Sequence, residues 1–562
     1  RAAMSTGDGA HAEYSLWESM RGDRALLMVA AFLVLFFVGY PIVTSIRTLE
    51  FGSILALFNR DEILPMQNTL LAALLTIPPS IAIAVPMAWL CTRTNMPGRG
   101  VVSTLVATSF VLPMLLTSIA YVFLLGPNAG LINVFFRPIL GGPLYDIFSF
   151  SGVVFIAVLH SYPLIFFTTA SGLSRMNPEL EESARVCGLS SFQVFLKITV
   201  RVILPSVLAG VAFAVAFALT MLSAPLILGN AVGIPFVTTE MYAAIVMNPN
   251  PARSVALGIP LLVMTLAALW VQGRLIGKST ERFAVVAGKG QRSDILNLGI
   301  WRYPALTLCL LPIVLSLVLP LLTLLTAGLM QYWWKGLVLD NLSFDQFINI
   351  LTDPISLGSI WNSVTLSTGV GLLLGFVGAG LTIILSGPQG VTKRFIRGLA
   401  TLPLGIPHVA AGVLVILAWY GVPFHLGGTV WILAFAYILV MLPYALKTCD
   451  AARGQIDASL GEAARVSGCT PLESWRYILF PLMRNGLFTT FVIVFLFVIK
   501  EFPLTALVYS ANTLTFAVRV FTFYEGGSFE KTGAAAVILT VMTLLAVVIA
   551  GKIFKVSVGD MR

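Results

Sequence analysis

The chain has 562 residues, of which 58% are apolar and only 10% charged, and its mean hydropathy is +0.93. A soluble domain carries about 25% charged residues, so soluble enzymes and soluble binding modules are excluded and an integral membrane protein is predicted. The net charge of +9 does not indicate nucleic acid, because the basic residues are not interleaved with aromatic ones as RNA binding requires.

Apolar stretches long enough to span a bilayer, about 17–25 residues each, recur along the whole chain. They cover 25–46, 67–91, 101–125, 151–173, 205–228, 252–273, 303–326, 360–386, 396–420, 428–447, 485–508 and 532–555. None alternates in the manner of a lipid-facing barrel strand, so the expected fold is all-α with about twelve transmembrane helices. The polar 1–24 segment precedes a first span that is long and lacks a small-residue cleavage site, which reads as no removed signal peptide. With both termini placed inside, about 26 of the 34 Lys and Arg fall on inner segments, about 7 outside (Arg47, Arg60, Arg137, Arg253, Lys335, Arg519 and Lys531) and one, Lys500, within a span. That asymmetry satisfies the positive-inside rule.

In chain order, Tyr40-Pro41 closes the first span, Asn68 opens the second, and Val111-Leu112-Pro113 lies in the third. The Gly- and Pro-rich stretch 126–150 is expected to be an irregular outer loop, since open backbone is not tolerated in lipid. The next inner segment, 174–205, is a charged island containing Glu182-Ser183-Ala184-Arg185-Val186-Cys187-Gly188. Its counterpart, 449–482, contains Glu462-Ala463-Ala464-Arg465-Val466-Ser467-Gly468, 280 residues further on. Each is predicted to form two short helices broken at the glycine, with Ser190-Ser191 and Thr470-Pro471 starting the second helix. Val186, Phe192 and Phe195, and Val466, Leu472 and Trp475, would give those helices a face to bury.

The repeat extends beyond the elbows. Asn68 matches Asn362 and Pro113 matches Pro407, both 294 residues apart. Two domains follow, 1–290 and 291–562, joined by a polar linker near 277–302. Each holds six spans with both ends inside, which implies parallel pseudo-symmetry about the membrane normal. A short polar helix on the inner surface is suited to serve as a knob for a partner's groove.

Several other signals carry less. Gly273-Arg-Leu-Ile-Gly277-Lys278-Ser279 has three residues between its glycines where a phosphate-binding loop needs four, and it ends a membrane helix where such a loop must follow a strand. The cysteines Cys91, Cys187, Cys309, Cys449 and Cys469 have no CxxC spacing and read as reduced thiols, not as a zinc site or disulfide framework. Lys500-Glu501-Phe502-Pro503 places ionisable residues near the outer end of a span. Either Glu501 lines a pathway, or both charges snorkel at the outer interface. The matching place in the first half, Leu222-Ser223-Ala224-Pro225, has no charge, so a lining built from Ser223, Pro225, Glu501 and Pro503 would be asymmetric. His408, beside Pro407, reads as a buried hydrogen-bonded histidine before a ligand.

At its two elbows the chain resembles the permease subunits of binding-protein-dependent ATP-binding-cassette importers. Their cytoplasmic motif is Glu-Ala-Ala, three residues, Gly, then Leu-Pro or similar thirteen after the Gly. Glu462, Ala463, Ala464, Gly468 and Pro481 match it in full. The first copy keeps Glu182, Ala184 and Gly188 but has Ser183 in place of the first alanine and Arg201 in place of the proline, with Pro205 four residues later. The fused two-permease layout is similar to the ferric-iron and thiamine branch. Gly126-Pro127-Asn128, Gly130-Leu-Ile-Asn133 and Phe148-Ser-Phe-Ser-Gly152 lean toward its ferric-iron members.

The resemblance implies a type I importer permease fold in a bacterial cytoplasmic membrane, with both termini cytoplasmic. It also implies that the elbows dock on two copies of a cytoplasmic ATPase, which carry the ATP and Mg, and that a periplasmic binding protein docks outside. No cofactor and no catalysis are expected on this chain, and the solute would be chosen mainly by the binding protein. Ferric iron is the first expectation, with thiamine, phosphonate, sugar phosphate or polyamine as alternatives within the family. An ion-coupled secondary transporter is the alternative of another class.

Overall fold

The computed structural model describes residues 24–177, 179–283, 295–386, 390–456 and 480–554, together with Ser467, Cys469, Glu473, Arg476 and Tyr477. Among these residues all regular structure is helical apart from two isolated bridges, Thr94 with Leu296 and Met330 with Leu342. In chain order the first half comprises α1 (Arg24–Thr48), α2 (Arg60–Arg93), α3 (Arg99–Val111), α4 (Met114–Leu125), α5 (Leu131–Leu140), α6 (Phe150–Arg175), α7 (Glu179–Val186), α8 (Phe195–Thr220), α9 (Val237–Val246) and α10 (Pro251–Phe283). The second half comprises α11 (Gly299–Leu329), α12 (Asp345–Thr352), α13 (Pro354–Ile384), α14 (Val391–Gly405), α15 (His408–Tyr420), α16 (Val430–Arg453), α17 (Arg484–Ile499), α18 (Phe516–Glu525) and α19 (Phe529–Phe554).

Nine of the described helices are long and apolar enough to cross a membrane, or up to eleven if each of two bent pairs is one span. The bent pairs are α3–α4, turned by 92°, and α14–α15, turned by 116°. The spans expected at 101–125 and 396–420 are therefore broken. The cause is Pro113 and Pro407: a proline drives the residue before it out of helical geometry, and Leu112 and Ile406 are both extended. The spans expected at 205–228 and 485–508 are broken too, after Thr220 and after Ile499. Pro225 and Pro503 have no N–H to donate and crowd the carbonyls four residues earlier, those of Met221 and Ile499. The stretch 126–150 is less irregular than its composition implies. It contains α5, set between Gly130 and the left-handed Gly141 and held by buried Asn133, whose amide donates to the carbonyls of Leu125, Gly126 and Tyr145.

The chain forms two compact units, 1–48 with 358–515, and 49–357 with 516–562. These units do not coincide with the sequence halves 1–290 and 291–562. In the first unit α1 lies against the second half, where Phe36 and Phe37 meet Trp419 and Phe435 with ring centroids 5.1–6.2 Å apart. In the second unit α11 lies against the first half: Tyr121 donates to the Leu315 carbonyl at 2.8 Å, and Tyr162 bonds both Ser109 and Ser316. Cys309, Ile313 and Leu317 join the same buried cluster as Ala84, Ala88, Ile165 and Val207.

The repeat is visible in side-chain detail. Asn68 donates to the Pro235 carbonyl at 2.9 Å, and its counterpart Asn362 donates to the Leu514 carbonyl at 3.0 Å. Where α6 meets α8, a Cβ on Gly172 would lie 2.7 Å from the Ser206 Cβ; where α16 meets α17, a Cβ on Gly486 would lie 2.3 Å from the Ala452 Cβ. Gly172 and Ser206 correspond to Ala452 and Gly486, so the glycine has changed helix while the crossing has stayed tight. Close backbone approach drives helix association in lipid, where apolar burial adds nothing.

Candidate functional site

The first elbow is built from three backbone devices. The helix α7 ends in a Schellman turn: Gly188 N–H donates to the Arg185 carbonyl at 2.9 Å and Leu189 N–H to the Ala184 carbonyl at 3.2 Å. Gly188 takes φ +87°, a left-handed conformation glycine adopts without steric cost. The next helix starts with a capping box. Ser190 N–H donates to Gln193 Oε1 at 3.1 Å while Gln193 N–H donates to Ser190 Oγ at 3.3 Å. The expected break at Gly188 and restart at Ser190 are what the structure contains.

Burial divides α7 into two faces. Glu181 and Ala184, three residues apart, face inward and are buried; Ser183, Val186, Cys187 and Gly188 are exposed, and Glu182 is half-buried. Val186 is 89% exposed, so the expectation that it would bury a face within the chain is corrected: position 186 falls on the solvent side of α7. Phe195 does find a partner, Trp89, with centroids 5.2 Å apart; the Phe192 side chain lies outside the described residues. So do Glu462, Ala463, Ala464, Val466, Gly468, Thr470, Pro471, Leu472 and Trp475 of the second elbow. Pro481 is exposed within Phe480–Leu482.

Glu181 and Arg93 were not singled out from the sequence. Arg93, 5% exposed at the C-terminal end of α2, donates through Nη2 to the carbonyls of Leu173 and Met176 at 2.8 and 3.0 Å. Its Nε lies 3.8 Å from Glu181 Oε2, and Thr199 donates to Glu181 Oε1 at 2.6 Å. One signal was available: Glu181 stands three residues before Ala184 and therefore on its face.

The second cluster lies in the unit that contains 358–515. The segment Lys500–Leu504 is not helical, so the 100° separation between neighbouring helical positions does not govern Lys500 and Glu501. Glu501 is buried; His408 Nδ1 lies 3.1 Å from each of its carboxylate oxygens, and Leu504 N–H donates to Oε1 at 3.1 Å. Snorkelling of Glu501 to an interface is therefore replaced by an internal pairing. His408 is the first residue of α15, so the pair joins the break in α14–α15 to the break after α17. Thr505 continues the network, donating to the Glu501 carbonyl and bonding the Tyr437 hydroxyl at 2.7 Å. In the first half the corresponding positions are Met114 and Ser223. Ser223 and Pro225 are both buried at the break after α8.

Two further charge clasps lie elsewhere among the described residues. Arg253 reaches Glu62 at 2.5 Å and Glu240 at 2.7 Å. Arg519 reaches Asp353 at 3.0 Å, and Asp353 also caps α13 by accepting from the N–H and hydroxyl of Ser356. The glycine-rich 273–279 stretch lies inside α10 and makes no phosphate loop. The five cysteines are free, with Cys91, Cys309 and Cys449 buried. Among the described residues no three His, Cys, Asp or Glu gather in a metal-ligating group.

A helical membrane chain whose sequence repeats one bundle, with a helix–turn–helix elbow at Gly188 in its first copy, defines a class of transport permease. The chain belongs to the family of binding-protein-dependent transport system inner membrane components, whose description matches residues 51–279 and again 367–558. It is a fused two-repeat permease of an ABC importer and a multi-pass inner-membrane protein; α1 and α11 fall outside both matched segments. It is 24% identical over 430 residues to the ferric transport system permease protein FbpB of Actinobacillus pleuropneumoniae, a match covering 74% of this chain and 60% of that protein's length. It is also 24% identical over 561 residues to a Sinorhizobium fredii protein named "Probable ABC transporter permease protein y4fN", covering 94% and 95% of the two chains. Over 190 residues, 33% of this chain and 62% of the relative, it is 25% identical to the sulfate transport system permease protein CysW of Escherichia coli K12.

Proposed function

We propose that this chain is the conduit of an ATP-driven importer, moving a small solute from an external binding protein to the cytoplasm by alternating access. The observation that carries the reading is the first elbow: a helix stopped at Gly188 and restarted at Ser190, presenting an exposed apolar Val186. An apolar side chain set on a capped turn at the inner surface is suited to a partner's cleft. Two copies of an ATPase, carrying ATP and Mg, would grip Glu182, Ser183, Ala184 and Gly188 at one elbow and Glu462, Ala463, Ala464, Gly468 and Pro481 at the other. Closure of the ATPase pair moves the elbows, and the bundle follows because the two states differ in their contacts with the ATPase.

In this reading both termini are cytoplasmic, and Ser223, Pro225, Glu501 and Pro503 line the path. Ferric iron is the cargo we assign, on the match to the ferric permease and on the sequence segments near Asn128, Asn133 and Phe148. The sulfate permease match keeps an oxyanion as the contrasting cargo. Family membership replaces the ion-coupled secondary transporter.

The test is uptake into proteoliposomes holding the chain and its ATPase, with binding protein presented outside. ATP-dependent uptake of ferric iron that falls most steeply in Gly188→Val is the expected result. Uptake driven by membrane potential with no ATPase present would overturn the importer reading, and uptake of sulfate in place of iron would overturn the cargo.

A further inference from the structure

We propose that Arg93, Glu181 and Thr199 form a buried rivet that makes the first elbow move as one body with the inner ends of α2, α6 and α8. They are positioning residues for coupling. This rests on the reading of the elbow as the ATPase knob and names what stiffens it.

The geometry has four parts. Arg93 ends α2. Its Nη2 holds the Leu173 and Met176 carbonyls, at the close of α6, where backbone acceptors have no partner within the helix. Glu181 comes from the elbow helix α7 itself, with its carboxylate 3.8 Å from Arg93 Nε. Thr199, fully buried near the start of α8, donates to the other carboxylate oxygen at 2.6 Å. A carboxylate this deeply buried is strongly disfavoured unless it is paired and hydrogen-bonded, so any movement of α7 away from Arg93 or Thr199 is opposed. Nothing in a solvated loop needs such a group. The rivet is absent from the outward face that would meet a partner, where Ser183, Val186 and Gly188 are exposed.

The second half does not repeat these three side chains in its sequence. The residues 294 beyond Arg93 and 280 beyond Glu181 and Thr199 are Gly387, Gly461 and Leu479. Its inner ends are joined instead by Arg397, which pairs with Asp450 on α16 and donates to the Leu385 carbonyl after α13. Among the described residues that link joins the ends of the spans. The first elbow is tied into its bundle by an ion pair that includes the elbow helix itself.

The measurement is solute moved per ATP hydrolysed in the complete complex of permease, ATPase and binding protein, in proteoliposomes. Glu181→Ala and Thr199→Val are compared with wild type, and Thr199→Ser, which keeps the hydroxyl, serves as the conservative variant. The ratio is expected to fall at least about fivefold in Glu181→Ala, the low end of the usual range for coupling between sites, and to stay near wild type in Thr199→Ser. Thr199→Val should fall between them, and it remains informative if Glu181→Ala does not assemble. A ratio unchanged in Thr199→Val and in assembled Glu181→Ala would overturn the rivet and leave only a structural pair. Failure of wild type itself to couple hydrolysis to uptake would instead count against the docking reading on which the proposal rests.

Discussion

Gly188 offers a perturbation whose size follows from the structure. Its φ is +87°, and a Cβ built there meets nothing within 4 Å. Substitution therefore costs backbone strain and no steric clash within the chain. For alanine that strain is about 1–2 kcal/mol, enough to shift the elbow away from its native turn by about 5- to 30-fold. Asparagine tolerates the left-handed region and should cost least, while valine, branched at Cβ, should cost most. ATP-driven uptake and co-purification with the ATPase should consequently fall in the order Gly188, Gly188→Asn, Gly188→Ala, Gly188→Val. A valine variant equal to wild type would refute the argument that this turn sets the coupling geometry. An asparagine variant as poor as valine would show that close approach by a partner, and not φ, is the constraint.

Three further outcomes follow from other contacts. Gly486→Ser should destabilise the detergent-solubilised protein by about 1–3 kcal/mol through overpacking, and adding Ala452→Gly should restore its thermal-inactivation half-life, because the first half already uses Gly172 with Ser206. Glu501→Ala strips His408 and the Leu504 N–H of a partner and should cost about 1–3 kcal/mol. Glu501→Gln should cost less, and a double-mutant cycle with His408→Ala should show coupling; additive effects would refute the pairing. The Asp353 carboxyl is held below its usual range by the Ser356 hydroxyl first, then by the Ser356 N–H and Arg519, against desolvation. Its contribution should therefore be present above about pH 3.9 and be lost only as pH falls through the lowered native value. The stability gap between wild type and Asp353→Asn should stay flat from neutral pH down to about pH 4 and close below it, and with the carboxylate about a third exposed the gap should not exceed about 1 kcal/mol.

What was legible in the sequence had a local cause. Apolar runs announced the membrane, and two elbows 280 residues apart announced the repeat. Gly188 and Ser190 announced their own turn and cap, because φ preference and capping depend on a few neighbouring residues. The prolines at 113, 225, 407 and 503 were equally visible, but their effect was not, since a proline in a membrane helix either kinks it or ends it according to what surrounds it.

Other features depend on partners far along the chain. That α1 lies with the second half and α11 with the first leaves no trace in either helix, because any apolar face suits a membrane interior and the choice is made by shape. Arg93 read as one more inner-surface charge until α6 brought its carbonyls to the guanidinium. Glu181 was overshadowed by Glu182, the motif residue, although only Glu181 shares the inward face of Ala184. His408 and Glu501, 93 residues apart, meet because two spans break at the same depth. Composition and short-range geometry determined the class, the repeat and the elbow. The tertiary structure decided which charges are buried together, because a buried charge persists only where distant segments supply its partner.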